Sequence, residues 1–271
     1  MQRTGKVYGR PVSFRDKIIA IDGVDMTGVP SDIVHKKVLG PAGSPVTLTI
    51  LRVDQDTPFD VTITRAKVIV PSVISEVRED QIAYVQIVQF GEKTTNELKT
   101  QLKELMKQNP KGLILDLRYN GGGYRDTAVQ VLSEFLPNRE IAMLEEFGDG
   151  TIQKFYTEGR GQALDIPMIV LVNEGSASAS EIVAGALQDY GRAQLLGVTT
   201  YGKGSVQVWL PLDNDQGAVR VTIARWLTPE SRQINQVGLT PDIVVEITDE
   251  QNAAGLDPQL DKAVELLLQG N

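Results

Sequence analysis

The chain has 271 residues, 41% of them hydrophobic and 23% charged, with a formal charge of −8. That length suits two domains, that apolar content excludes wholesale disorder, and the negative balance argues against nucleic acid or an anionic membrane as partner. The absence of cysteine and the single histidine, His35, exclude disulfides, thiolate nucleophiles and multi-histidine zinc sites.

His35 is also the one candidate for a Ser-His-Asp triad. No apolar run approaches the roughly 18 residues that suggest a membrane span. No signal-peptide pattern opens the chain.

Residues 1–65 read as a small β-rich module. A strand at 17–21 runs into the Asp22-Gly23 turn pair. A short helix is expected over 31–39, followed by a Gly-Pro-Ala-Gly loop. Alternating residues at 46–52 and 59–64 predict two half-buried strands around a polar turn at 54–57. His35 falls on the helix of this module and reads as structural.

Residues 66–80 read as a connector. From there to 247 strands and helices alternate, which indicates an α/β core. A strand at 83–90 precedes Thr94 and Glu97, which have capping-box spacing. Leu98, Leu102, Leu105 and Met106 then recur with helical period until Pro110. Strands at 112–117 and 168–172 are apolar enough for the interior of a covered sheet. Helices are expected over 126–136 and 178–190, and further strands over 194–197 and 205–210. Residues 248–271 form a helical tail. Its helix starts at Asp257-Pro258, a cap and a pre-organised first position, with Leu260, Val264 and Leu267 as its apolar face. That stripe either docks on its own core or contributes to a dimer contact.

Chemistry concentrates in two loops. Gly175-Ser176-Ala177-Ser178-Ala179-Ser180-Glu181 follows a buried strand and opens a helix, which exposes a hydroxyl beside free backbone N–H groups. A serine nucleophile needs a base. The options are the carboxylates Glu181 and Asp189, or a lysine made neutral by desolvation. Lys203 lies between glycines just before a strand, in Gly202-Lys203-Gly204-Ser205, whose glycine spacing is not that of a phosphate-binding loop. Gln207 lies four residues on, on the same face of an alternating strand, where its amide could hold the amine. Asn120-Gly121-Gly122-Gly123, after a strand, suits an anion-receiving backbone turn but lacks dinucleotide-binding spacing.

These stretches resemble the carboxyl-terminal processing proteases, or tail-specific proteases, a serine-lysine peptidase family. The resemblance rests on DLRYNGGG at 116–123, NEGSASASEIVAGALQDYGRA at 173–193 and GVTTYGKGSVQ at 197–207. It continues through LTPESRQINQVGLTPDIVVE at 227–246 and DPQLDKAVELL at 257–267. It implies Ser178 as nucleophile, Lys203 as general base, Gln207 as its orienting residue, and the N–H groups of Ala179 and Gly122 as oxyanion hole. It further implies a protease core at 81–247 related to the crotonase (ββα) fold, no cofactor and no metal. Substrates would be proteins or peptides with accessible C-terminal tails, and the location extracytoplasmic.

The first 65 residues resemble a PDZ domain through DKIIAIDGVDMTG at 16–28, VLGPAGSPVTLTILR at 38–52 and PFDVTITR at 58–65. The opening strand and carboxylate-binding loop of that domain have no counterpart, and the stretch 8–16 is short. The module is therefore expected to be partial. Two other readings stay open: a crotonase-like hydratase or isomerase acting on thioesters, and a peptide-binding scaffold without activity.

Overall fold

The computed structural model describes residues 16–52, 57–67, 71–213 and 217–270. The short stretch 8–15 and the turn residues 54–56 lie outside the described residues. The chain divides into two compact units, Met1–Val70 and Pro71–Asn271.

The first unit contains β1 (Lys17–Ile21), β2 (Val24–Asp25), α1 (Ser31–Val38), β3 (Pro45–Leu51) and β4 (Phe59–Thr64). The strands form an antiparallel sheet in the order β2-β1-β3-β4. Strand β3 shows why: Val46, Leu48 and Ile50 point into a small core with Ile21, Met26 and Val61, while Thr47 and Thr49 alternate outward and bond Thr62 and Asp60 across to β4. Helix α1 buries no residue fully, and His35 is exposed on it.

The second unit runs β5 (Val73–Val77), β6 (Ile82–Ile87), α2 (Thr94–Met106), β7 (Gly112–Asp116), α3 (Arg125–Leu132), β8 (Ile141–Phe147), β9 (Ile152–Tyr156) and β10 (Met168–Val172). It continues with α4 (Ala179–Asp189), β11 (Gln194–Gly197), β12 (Ser205–Pro211), β13 (Ala218–Leu227), β14 (Ile243–Val244), α5 (Asp249–Ala253) and α6 (Pro258–Gln269). A six-stranded sheet has the order β14-β11-β10-β7-β6-β5. Its pairings are parallel except at β5, which runs antiparallel to β6. Strand β5 thus lies within the stretch expected to be a connector.

Strands β7 and β10 are buried at every position because both faces of the sheet are covered. Leu113, Leu115, Val170 and Val172 share one core with residues of α2, α3 and α4. Ile114, Ile169 and Leu171 point the other way, to Ala263 and Leu267 of α6. Leu260 and Val264 join that packing, so the stripe of the last helix faces its own sheet. The Asp257 side chain accepts from Leu260 N–H at 3.0 Å and caps α6 as its sequence suggests. Glu97 does not close a capping box. Its carboxylate accepts from the N–H groups of Ser72 and Val73 instead, and so pins the start of β5 to α2.

The expected crotonase (ββα) core is corrected by this topology. That architecture repeats a strand pair before each helix. Here β7 leads to α3 and β10 to α4, while β8 and β9 leave the main sheet altogether. They join β12 and β13 in a second, antiparallel sheet of order β12-β13-β8-β9.

Candidate active site

Ser178 is the N-cap of α4 and holds φ 56° and ψ −115°. A side chain at that positive φ is strained, and the strain persists only where the surroundings enforce it. Two buried serines supply part of that enforcement. The Ser176 hydroxyl donates to the Leu117 carbonyl at 2.8 Å, and the Ser180 hydroxyl to the Asn120 carbonyl at 2.7 Å. The outer serines of Ser-Ala-Ser-Ala-Ser thus clamp the loop to the end of β7, and the middle one is left half-exposed at the helix start.

Glu181, fully buried one turn into α4, ties the second loop to the first. Its carboxylate accepts from four groups: Ser178 N–H at 2.8 Å, the Thr200 hydroxyl at 2.6 Å, Gly202 N–H at 2.7 Å and Lys203 N–H at 3.0 Å. Those donors are backbone dipoles and a hydroxyl, so the buried carboxylate needs no cation and is in no position to act as a base. The backbone of Lys203 is bound, while its ammonium group pairs with no carboxylate among the described residues. The indole of Trp226 fixes the same loop by donating to the Lys203 carbonyl at 2.7 Å. Gly202 sits at φ 84°, and a Cβ there would fall 2.8 Å from Gly238 N, so the loop requires glycine. Asp189, the other candidate base, is buried elsewhere against Arg232 and Glu230 N–H.

The glycine turn closes on Ser178 from the β7 side. A Cβ on Gly122 would lie 2.8 Å from Ser178 Cβ and 2.9 Å from Ala179 N. Gly122 N–H donates to Asn120 Oδ1 at 2.9 Å. The N–H groups of Gly123 and Ala179 have no partner among the described residues. Behind the turn, buried Asp116 and Arg118 pair at 2.7 Å, Tyr84 donates to Asp116, and Arg118 reaches Asp257 at 2.8 Å. Burial opposes the charge of Arg118, yet hydrogen bonds to Asp257 and Asp116 hold its guanidinium above the ordinary range. Burial likewise opposes ionisation of Asp257, but the bond from Arg118 prevails and its carboxyl lies below the ordinary value.

Ser178, Lys203 and Gln207 line one cavity of about 280 Å³ with Gly123, Tyr124, Arg125, Met143, Glu145, Ile182, Ser205, Val206 and Trp226. Gln207 arrives there by a different route than simple alternation. Strand β12 starts only at Ser205, and a bulge between Val206 and Gln207 brings both side chains to the cavity. The Gln207 amide nitrogen donates to Thr222 at 3.3 Å, and Oε1 has no partner among the described residues. His35 lies in the first unit and is not among the lining residues. Sequence reasoning missed Arg125, Met143, Glu145, Ile182 and Trp226, which four separate elements bring to the cavity. It also missed the tethering role of Glu181, although the Ser-x-x-Glu spacing at 178–181 is a visible capping signal.

The model of Peptidase family S41 matches residues 81–245. The chain belongs to peptidase family S41. This S41 chain is 41% identical over 249 residues to a carboxy-terminal-processing protease of Bartonella bacilliformis, covering 90% of this chain and 57% of the relative. It is 36% identical to a carboxyl-terminal-processing protease of a Synechocystis species, covering 94% and 61% respectively. Among solved structures it is similar to the photosystem II D1 C-terminal processing protease, with TM-score 0.62 and 29% identity over 93% of this chain and 67% of that one. The S41 chain thus spans roughly three-fifths of the length of those two curated relatives. Family model and solved neighbour both place the core with S41 proteases, which overturns the crotonase assignment.

Proposed function

We propose that the chain is a serine endopeptidase that cleaves proteins near their C terminus. Ser178 attacks a peptide carbonyl, neutral Lys203 takes its proton, and the amine returns that proton to the leaving nitrogen. An acyl-enzyme forms, which water then hydrolyses. The observation that carries this reading is a strained serine at a helix start sharing one cavity with a lysine that no carboxylate among the described residues pairs with.

The remaining groups fit assigned tasks. Ala179 N–H, beside Ser178, has no partner among the described residues and serves as one oxyanion donor. Gly123 N–H is the second donor favoured by this geometry, because Gly122 N–H is engaged by Asn120. A neutral amine that aims its lone pair at the serine hydroxyl still carries N–H donors. Gln207 Oε1 accepts one of them, with Thr222 holding the amide in orientation.

Substrates are proteins with accessible C-terminal tails, and the reading places the enzyme outside the cytoplasm and allows a homodimer. No helix among the described residues is long and apolar enough to cross a membrane.

The test is cleavage of unstructured peptides with apolar C termini, followed by mass spectrometry. Ser178→Ala and Lys203→Ala are each expected to lower turnover by at least about 10³-fold. Folded variants that cleave at the parental rate would sink this mechanism.

A further inference from the structure

One face of the antiparallel sheet forms a wall of the cavity. Glu145 on β8 lies directly across from Trp226 on β13, and Met143 lies two residues before it. Phe155 on β9 pairs with Met143. Onto this wall comes Arg125, the first residue of α3. Its guanidinium stands 4.4 Å from the centroid of the Phe155 ring and donates to Glu145 Oε1 at 2.9 Å. Its Nε donates to the exposed Asp126 at 2.8 Å.

The two partners differ sharply in their surroundings. The Glu145 side chain is 3% exposed, whereas that of Arg125 is 40% exposed. Glu145 Oε2 has no partner among the described residues. The buried carboxylate therefore depends on Arg125 for its neutralisation, because no other cation pairs with it among the described residues. A cation at the first position of a helix is disfavoured by the helix dipole, so α3 itself gives no reason to place arginine there. The Glu145 contact does.

We propose that the Arg125–Glu145 pair sets substrate preference by keeping this wall of the cavity electrically neutral. The inference rests on the peptidase reading above and names the substrate class for that same site. The residue held in the cavity beside Ser178, which contributes the attacked carbonyl, is uncharged. An acidic residue meets Glu145 and a basic one meets Arg125, each at a cost in desolvation and like-charge repulsion. Arg125 and Glu145 are specificity-determining residues and take no part in proton transfer.

The experiment profiles cleavage of a mixed library of unstructured peptides by mass spectrometry. It compares the parent, Arg125→Leu, Glu145→Gln and the double variant, with circular dichroism to verify folding. The parent should cleave after neutral residues. Arg125→Leu exposes an uncompensated carboxylate and should raise the share of cleavage after Lys and Arg by about tenfold. Glu145→Gln should raise the share after Asp and Glu by a smaller factor, because the exposed Asp126 still pairs with Arg125, and the double variant should return the preference to neutral residues. Should Arg125→Leu not fold, Glu145→Gln and the double variant carry the same comparison. A merely structural pair would change rates or stability and leave the profile alone, so identical profiles in the active variants overturn the inference. A parent protein that cleaves nothing overturns the peptidase reading and this inference with it. An active parent with unaltered variants overturns this inference alone.

Discussion

Two buried carboxylates hold the two glycine-bearing turns of the core by different chemistry. Asp116, behind the Asn120–Gly123 turn, is neutralised by a cation, Arg118, which also reaches across to Asp257 at the start of α6. Glu181, behind the Gly202–Gly204 turn, is bound by N–H dipoles and a hydroxyl. The first arrangement fastens a helix to the back of the sheet. The second sets two segments in register while the lysine side chain pairs with no carboxylate among the described residues. A salt bridge between Glu181 and the Lys203 ammonium would bind the same loop as firmly and hold the amine in its charged form. The loop is gripped by its backbone, so its side chain stays available.

The greatest loss of stability is expected at Arg118. Arg118→Ala leaves Asp116 buried with only Tyr84 and one backbone N–H as donors. Removing one partner from such a pair costs about 3–5 kcal/mol. Urea unfolding should show a midpoint lowered accordingly with an unchanged slope. A midpoint within error of the parent would mean that the Asp116–Arg118–Asp257 chain contributes nothing to stability.

Glu181 is expected to respond in activity beyond its effect on stability. Glu181→Gln turns an acceptor of four bonds into an amide with two donors of its own, facing donors. The 200–203 loop must shift to relieve that clash, carrying Lys203 away from Ser178. A displacement of about 1 Å at a reacting pair costs about 10²-fold in rate. We expect kcat to fall by that factor while KM for a peptide changes little, in protein that circular dichroism shows to be folded. Loss in KM alone would assign Glu181 to the binding of substrate rather than to the positioning of Lys203.

The legibility of these features in the sequence follows their range. Ser178, Lys203 and the glycine turns are local signals, each placed where a strand ends or a helix begins, and the structure brings them together. The apolar stripes of α2 and α6 are likewise read from spacing alone, because burial of one helix face imposes a period. The walls of the cavity are not local. Glu145, Trp226 and Arg125 come from two strands and a helix far apart in the chain, and nothing in the patterns of residues 141–147 or 218–227 points to the other. Of the antiparallel sheet that carries them only β12 is legible as a strand, and β8, β9 and β13 pass unread for that reason. Gln207 illustrates a subtler limit. Alternation suggests a shared face with Lys203, but the bulge that redirects it depends on pairing with β13, a partner that the strand's own sequence does not reveal. The capping-box spacing at Thr94 and Glu97 misleads for a similar reason, since the unpaired N–H groups of Ser72 and Val73 compete for the same carboxylate.

A weaker, pH-dependent contribution comes from Asp257. Asp257 titrates below the ordinary aspartate value in the folded chain because Arg118 and the α6 N-terminus favour its charged form. A carboxyl whose folded pKa is depressed contributes stability that is fully present above its unfolded pKa of about 4 and is lost as pH falls through the folded value. Asp257→Asn should therefore lower stability at neutral pH, by about 1–2 kcal/mol for a half-buried charge-assisted bond, while the asparagine oxygen still caps α6. The gap between parent and variant should close in acid. Unfolding curves recorded at neutral pH and at about pH 3 decide it, with the aspartate reference at about 4 lying between them. A constant gap would show that the ionisation of Asp257 contributes nothing to stability, and that the Asp116–Arg118 pair holds without it.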